Sequence, residues 1–188
     1  MNESAEERAW RAHLYALLAR LLAAPPDAEL LQRLGSLATA GDTDMERTLN
    51  TLGQAARDSD AKTVAEEFQA LFIGVTQGEL LPYGSWYLSG FLMEKPLARL
   101  RDDLARLGIA RQQDVREPED HAAAVLEAMS LLTAEGDDRQ KEFVQAHLFS
   151  WLPKFFHDLA HAPSAHFYRA VAGLGEAFMA IEAAYLEH

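Results

Sequence analysis

The spacing of apolar residues constrains this chain most. Trp10, Leu14, Leu17, Leu18, Leu21 and Leu22 recur every three or four residues, which puts them on one helical face. The same period returns in Val64, Phe68, Leu71 and Phe72, in Leu97, Leu100 and Leu104, in Val125, Met129 and Leu132, and in Phe167, Val171, Leu174, Phe178, Ile181 and Tyr185. No segment alternates apolar and polar residues between turn signals, so no sheet is expected. The predicted fold class is all-α, one compact multi-helix domain of about nine helices.

Helix ends can be read locally. Ser4-x-x-Glu7 and Thr43-x-x-Glu46 are capping boxes, and Asp27 is an N-cap candidate. Pro25-Pro26 stops the first helix, and Gly108 and Gly136 suit C-terminal positions. The spacing predicts one helix over 60–73, a helix from about Glu94 with Pro96 in its first turn, a helix with Pro118 at N1, one over 138–149, a short one ending at His161, and a last one opened by Pro163-Ser164. Residues 109–117 read as a polar connector, the natural hinge if the domain has two lobes and the place where a domain-swapped dimer would exchange. The domain is expected over 1–185. Residues 186–188 read as a vector scar leading into a histidine tag.

With 188 residues the chain can bury roughly 70% of its unfolded surface and needs no covalent staple. It has no cysteine, which excludes disulfides, a thiol nucleophile and Cys-ligated metal. No apolar run approaches the roughly 20 residues of a membrane span. The acidic start MNESAEERAW has no apolar stretch of the kind a secretory signal carries. Lys plus Arg is 17 and Asp plus Glu is 29, a net charge of −12. That charge repels nucleic acid and anionic membranes and favours a basic partner. The expected location is the cytoplasm.

Three places hold chemistry. The stretch 74–87, GVTQGELLPYGSWY, has three glycines, a proline and three aromatics. It is too apolar for an ordinary loop; it plugs the interior or it receives a peptide. Glu117-Pro118-Glu119-Asp120-His121 crowds three carboxylates and an imidazole at a helix start. The acids there complement the helix dipole, or they accept charge-assisted bonds from Arg or Lys. His157-x-x-x-His161 has metal-ligand spacing, but also suits a helix C-terminus. An enzyme reading centres on Ser85, Asp120 and His121, a hydrolase or nucleotide-binding protein, though no nucleophile-elbow pattern surrounds Ser85. A metal-binding reading uses His147, His157 and His161. Gly173-Leu174-Gly175 lies in a helical pattern and reads as a site of close helix packing.

EEFQALFIG (66–74), LLPYGSWYLSG (80–90), EPEDH (117–121), HLFSWLPKF (147–155) and FYRAVAGL (167–174) together resemble the TorD/DmsD/NarJ family of redox-enzyme maturation chaperones. One departure is Ser150, where many members carry proline. The resemblance implies an all-helical chaperone and not an enzyme; no catalytic residue, metal or cofactor is assigned, and direct binding of nucleotide or of the molybdopterin cofactor is left open. It implies binding of a molybdopterin-dependent oxidoreductase apoprotein, its basic twin-arginine signal peptide, or both, during cofactor insertion and before export. The stretch from Ser85 to Ile109 is most similar to members that serve a formate dehydrogenase. The binding residues implied are Pro82, Tyr83, Ser85, Tyr87, Glu117, Asp120 and His121; Phe72 and Trp86, apolar residues of the same motifs, complete the candidate site. Monomer and domain-swapped dimer both fit the resemblance.

Overall fold

The computed structural model describes residues 4–110 and 117–186. Ten α-helices and one π-helical turn carry them, with no strand among the described residues. The only pairing outside the helices there is an isolated antiparallel bridge between Tyr83 and His121. The all-α expectation holds: 71% of the described residues are helical.

The chain divides into two units, each assembled from separated segments. Unit 1 takes the residues up to Ala23 and Pro82–Leu152; unit 2 takes Ala24–Leu81 and the residues from Pro153. The connector at 109–117 falls within the span of unit 1, and its residues 111–116 lie outside the described residues, as do 187 and 188 of the expected scar.

Unit 1 holds α1 (Ala5–Ala23), α5 (Gly84–Ser89), α6 (Lys95–Leu107), α7 (Ala122–Glu135) and α8 (Gln140–His147). The capping box forms as read: Glu7 N–H donates to Ser4 Oγ and Ser4 N–H to Glu7 Oε2. Helix α1 packs along α7, and Leu14, Leu18 and Leu21 are buried with Leu126 and Met129. Each such side chain contributes about 1.5–3 kcal/mol by leaving water.

Unit 2 holds α2 (Ala28–Gly35), α3 (Asp44–Arg57), α4 (Ala61–Phe68), the π turn Gln69–Ile73, α9 (Leu152–His161) and α10 (Phe167–Leu186). Asp27 caps α2 and the Thr43/Glu46 box starts α3, as read. Gly175 lets α10 approach α9: a Cβ there would sit 2.4 Å from the Phe156 ring. At Gly173 the same atom meets nothing within 4 Å, so only one of the pair serves close packing.

Four boundaries differ from the expectations by more than two residues. The helix expected over 60–73 changes at Phe68 into a π turn, where Gly74 N–H reaches back five residues to Gln69 O. The stretch 74–87 is not all loop, because its last residues start α5. Pro118 is not at N1 of α7: His121 N–H closes a turn onto Pro118 O and the helix begins at Ala122. The last helix begins at Phe167 rather than Pro163, because the buried Glu67 carboxylate accepts the N–H groups of His166, Phe167 and Tyr168 at 2.7–3.0 Å.

Candidate binding site

Two motifs of unit 1, about 35 residues apart in sequence, are stitched together by backbone bonds. Gly84 N–H donates to Asp120 O and Ala122 N–H to Pro82 O, each at 2.8 Å. This clamp is the Tyr83–His121 bridge, and it explains why neither motif reads as plain helix. Tyr83 and His121 are extended there, and each precedes a helix N-terminus.

The caps are then exchanged. Asp120 is buried, and its Oδ2 accepts Ser85 N–H of α5 at 2.8 Å. His121 caps α7, with Nδ1 accepting Ala123 N–H at 3.1 Å. Nδ1 is therefore the unprotonated nitrogen. Burial holds the His121 pKa below its ordinary value, against the pull of Glu117 and Asp120, so the ring is neutral near pH 7.

The Tyr83 ring meets His121 edge-on, centroids 5.1 Å apart. Its hydroxyl donates to Glu117 Oε2. Burial first, then the Glu117 carboxylate, push the Tyr83 pKa far above its usual range, so the phenol keeps its proton. Glu117 itself is exposed. Glu119 forms an ion pair with Arg101 at 2.8 Å.

Beneath α5 lies Trp151, buried, with Nε1–H donating to His147 O at 2.7 Å. Tyr87 stacks at 5.7 Å from it. A Cβ on Gly84 would come within 3.1 Å of Trp151 Nε1, so that glycine sets how closely α5 lies on the tryptophan. The corner read from HLFSWLPKF thus supports LLPYGSWYLSG.

The nine sequence-read positions separate by exposure and by unit. Pro82, Ser85, Asp120 and His121 are buried, Tyr83 and Tyr87 half-buried, Trp86 and Glu117 exposed. Those eight lie in unit 1, whereas Phe72 lies in unit 2 between Phe68 and Tyr168. The reading that Asp120 meets an incoming guanidinium needs correction, since that carboxylate is 3% exposed and engaged by α5. Ser85 is fully buried, with its hydroxyl accepting Met93 N–H at 3.2 Å, so it does not face a substrate.

Sequence reasoning missed the groove that the corner opens onto. It lies along α1 and α7, holds about 500 Å3, and is floored by Ala16, Ala19, Ala23 and Ala124. Glu117, Glu127, Arg20 and His121 stand around it. The alanines sit on faces that composition alone does not single out; their spacing of three and four residues in α1 is the signal that finds them. Among the described residues no group of three or more His, Asp or Glu is arranged to hold a metal ion. His157 and His161 stack at 4.3 Å, with His161 Nδ1 on His157 O at 2.8 Å.

The nitrate reductase delta subunit family model matches residues 38–157. The chain belongs to this family. It is 28% identical to the chaperone protein TorD of Aliivibrio fischeri over 99% of both chains. It is 31% identical to the Haemophilus influenzae protein described as a probable Tat proofreading chaperone, DmsD, over 59% of this chain and 56% of that one. A crystal structure of an Archaeoglobus fulgidus protein assigned to redox enzyme maturation shares the fold, with a TM-score of 0.59 and 20% identity over 90% of this chain and 93% of that one. The family matched by the delta subunit model is thus the TorD/DmsD/NarJ family that the motifs resemble, and its all-helical fold is the one found here.

Proposed function

We propose that this chain is a cytoplasmic maturation chaperone. It holds a molybdoenzyme apoprotein at its twin-arginine signal peptide until the cofactor is in place. The client most in keeping with the Ser85–Ile109 stretch is a formate dehydrogenase. One observation carries the reading: the Glu117 carboxylate, fixed by the Tyr83 hydroxyl, stands at the mouth of an alanine-floored groove. A twin-arginine signal has basic residues followed by an apolar run. A carboxylate accepts the first in a bidentate pair. A shallow floor of small side chains admits the second. The net charge of −12 speeds encounter with a basic peptide. The names of the TorD and DmsD relatives point the same way.

Calorimetry with a synthetic twin-arginine signal peptide tests this. Binding that weakens when both arginines become lysine, and again in Glu117→Gln, supports the reading. Indifference of the peptide affinity to both changes overturns it. The client is tested by co-expression with a formate dehydrogenase apoprotein and recovery of the complex.

A further inference from the structure

Trp86, Leu88, Phe91, Leu92 and Met93 are 40, 45, 69, 45 and 73% exposed. Single exposed apolar residues are ordinary; five large ones within eight positions mark a contact surface. Their backbone is held, not loose. Gly90 ends α5 in the left-handed region, its N–H on Trp86 O at 2.8 Å. The Ser89 hydroxyl lies 2.7 Å from Ser85 O and 3.1 Å from Phe91 O. Met93 N–H donates to the buried Ser85 hydroxyl. Met93 has φ +59°, the one non-glycine residue with positive φ among those described. A methionine in that conformation costs energy that a glycine would not, and its side chain stays in water.

We propose that Trp86–Met93 is a second docking strip, which takes an apolar segment of the client chain flanked by basic residues. Ser85 is its positioning residue. The inference rests on the chaperone reading above but uses a different surface. Charge selects the occupant. The strip runs into Glu94, and Leu88 also lines a groove of about 730 Å3. Apart from the buried Asp120, that groove carries Asp102 and Glu142 against Arg99, with Asp103 paired to Arg106 and His147. A second copy of the chain brings the same excess of acid and is repelled; a basic flank is attracted. Two strips on one unit also let a client hold by two segments at once, which raises avidity without any single tight contact.

The test uses one probe, a short synthetic peptide of two arginines followed by a leucine–alanine run, and reads stoichiometry by calorimetry. The wild type is expected to take two peptides per chain. Phe91→Ser/Leu92→Ser takes one, its affinity for the second falling roughly tenfold or more, as when a buried anchor is lost. Glu117→Gln/Leu131→Ser, which alters the alanine-floored groove, keeps the strip's peptide. Met93→Gly suits the same backbone conformation and gives a partial loss with an unchanged melting temperature. If Phe91→Ser/Leu92→Ser binds as the wild type does, the strip is not a docking surface, while the groove reading stands. Loss of all binding in that variant alone supports the strip and sinks the groove. A wild type that binds no peptide overturns both. A wild-type dimer in light scattering that the strip substitutions dissociate, with peptide binding intact, makes the strip a self-association surface and overturns the proposal.

Discussion

Asp120 closes the N-terminus of a helix it does not belong to: its Oδ2 takes the N–H of Ser85, 35 residues away in sequence, at 2.8 Å. Helix α5 has only six residues, too few to stand on its own backbone bonds. The carboxylate and the Tyr83–His121 bridge are what keep it formed.

Asp120→Ala is therefore expected to lower stability by about 1–3 kcal/mol, the range for losing a bond to a buried charged group. Asp120→Asn keeps an oxygen acceptor and costs less, about 1 kcal/mol or under. Urea unfolding of the three proteins checks this. Equal midpoints for Ala and wild type would show that Asp120 holds nothing.

Glu117→Gln separates recognition from stability in the opposite sense. The residue is exposed, so its melting temperature is expected to stay within a degree or two. Affinity for a twin-arginine peptide is expected to fall by about 1 kcal/mol, a loss of roughly fivefold. The difference between the two proteins shrinks with added salt. A salt-independent difference contradicts the charge pairing.

His121 gives a pH dependence whose sign follows from its burial. Its folded pKa lies below the ordinary 6.5, so the unfolded chain binds the proton first. Its contribution is complete above about pH 6.5 and is lost as the pH falls through that value toward the folded pKa. His121→Asn keeps an acceptor for the Ala123 N–H but cannot titrate. Between about pH 7.5 and 5.5 the variant is expected to lose less stability than the wild type, by up to about 1 kcal/mol. Parallel denaturation curves at the two pH values, with no difference between the proteins, refute the assignment.

The two glycines of α10 are expected to respond with opposite signs. Gly175→Ala drives a methyl into the Phe156 ring and costs about 1–3 kcal/mol. Gly173→Ala meets open space and gains up to about 1 kcal/mol from helix propensity. Thermal melts of both variants decide, and a loss at Gly173 would mean that its surroundings are tighter than they look.

What the sequence yields here depends on how far apart the partners sit. Ser4 with Glu7 and Thr43 with Glu46 are three residues apart, so their caps are written in the local order. Glu67 and the N–H groups at 166–168 are separated by about a hundred residues, and no local spacing records such a pair. Asp120 is similar: as one acid among three before a helix it reads as a dipole partner of α7, while the fold spends it on α5. His121 escapes the usual list of capping residues because an imidazole nitrogen seldom takes that place. The aromatic and acidic motifs were legible as residues worth watching. Their division into buried supports and an exposed carboxylate was not, because it depends on the clamp through Tyr83.

Neither unit is a continuous piece of chain, and that bears on how the protein comes off the ribosome. Helix α1 emerges first but its partner α7 follows only about a hundred residues later. Helix α3 waits longer still, for α10 at the far end. Until then the faces that α1 turns to α7 and α3 turns to α10 lack those partners. Such long-range pairing slows folding and leaves apolar surface open to other chains in the interval. A shortened product ending before Phe167 keeps α2, α3 and α4 but lacks the helix that completes their unit. A protein that shields unfinished partners thus passes through an unfinished state that needs shielding of its own.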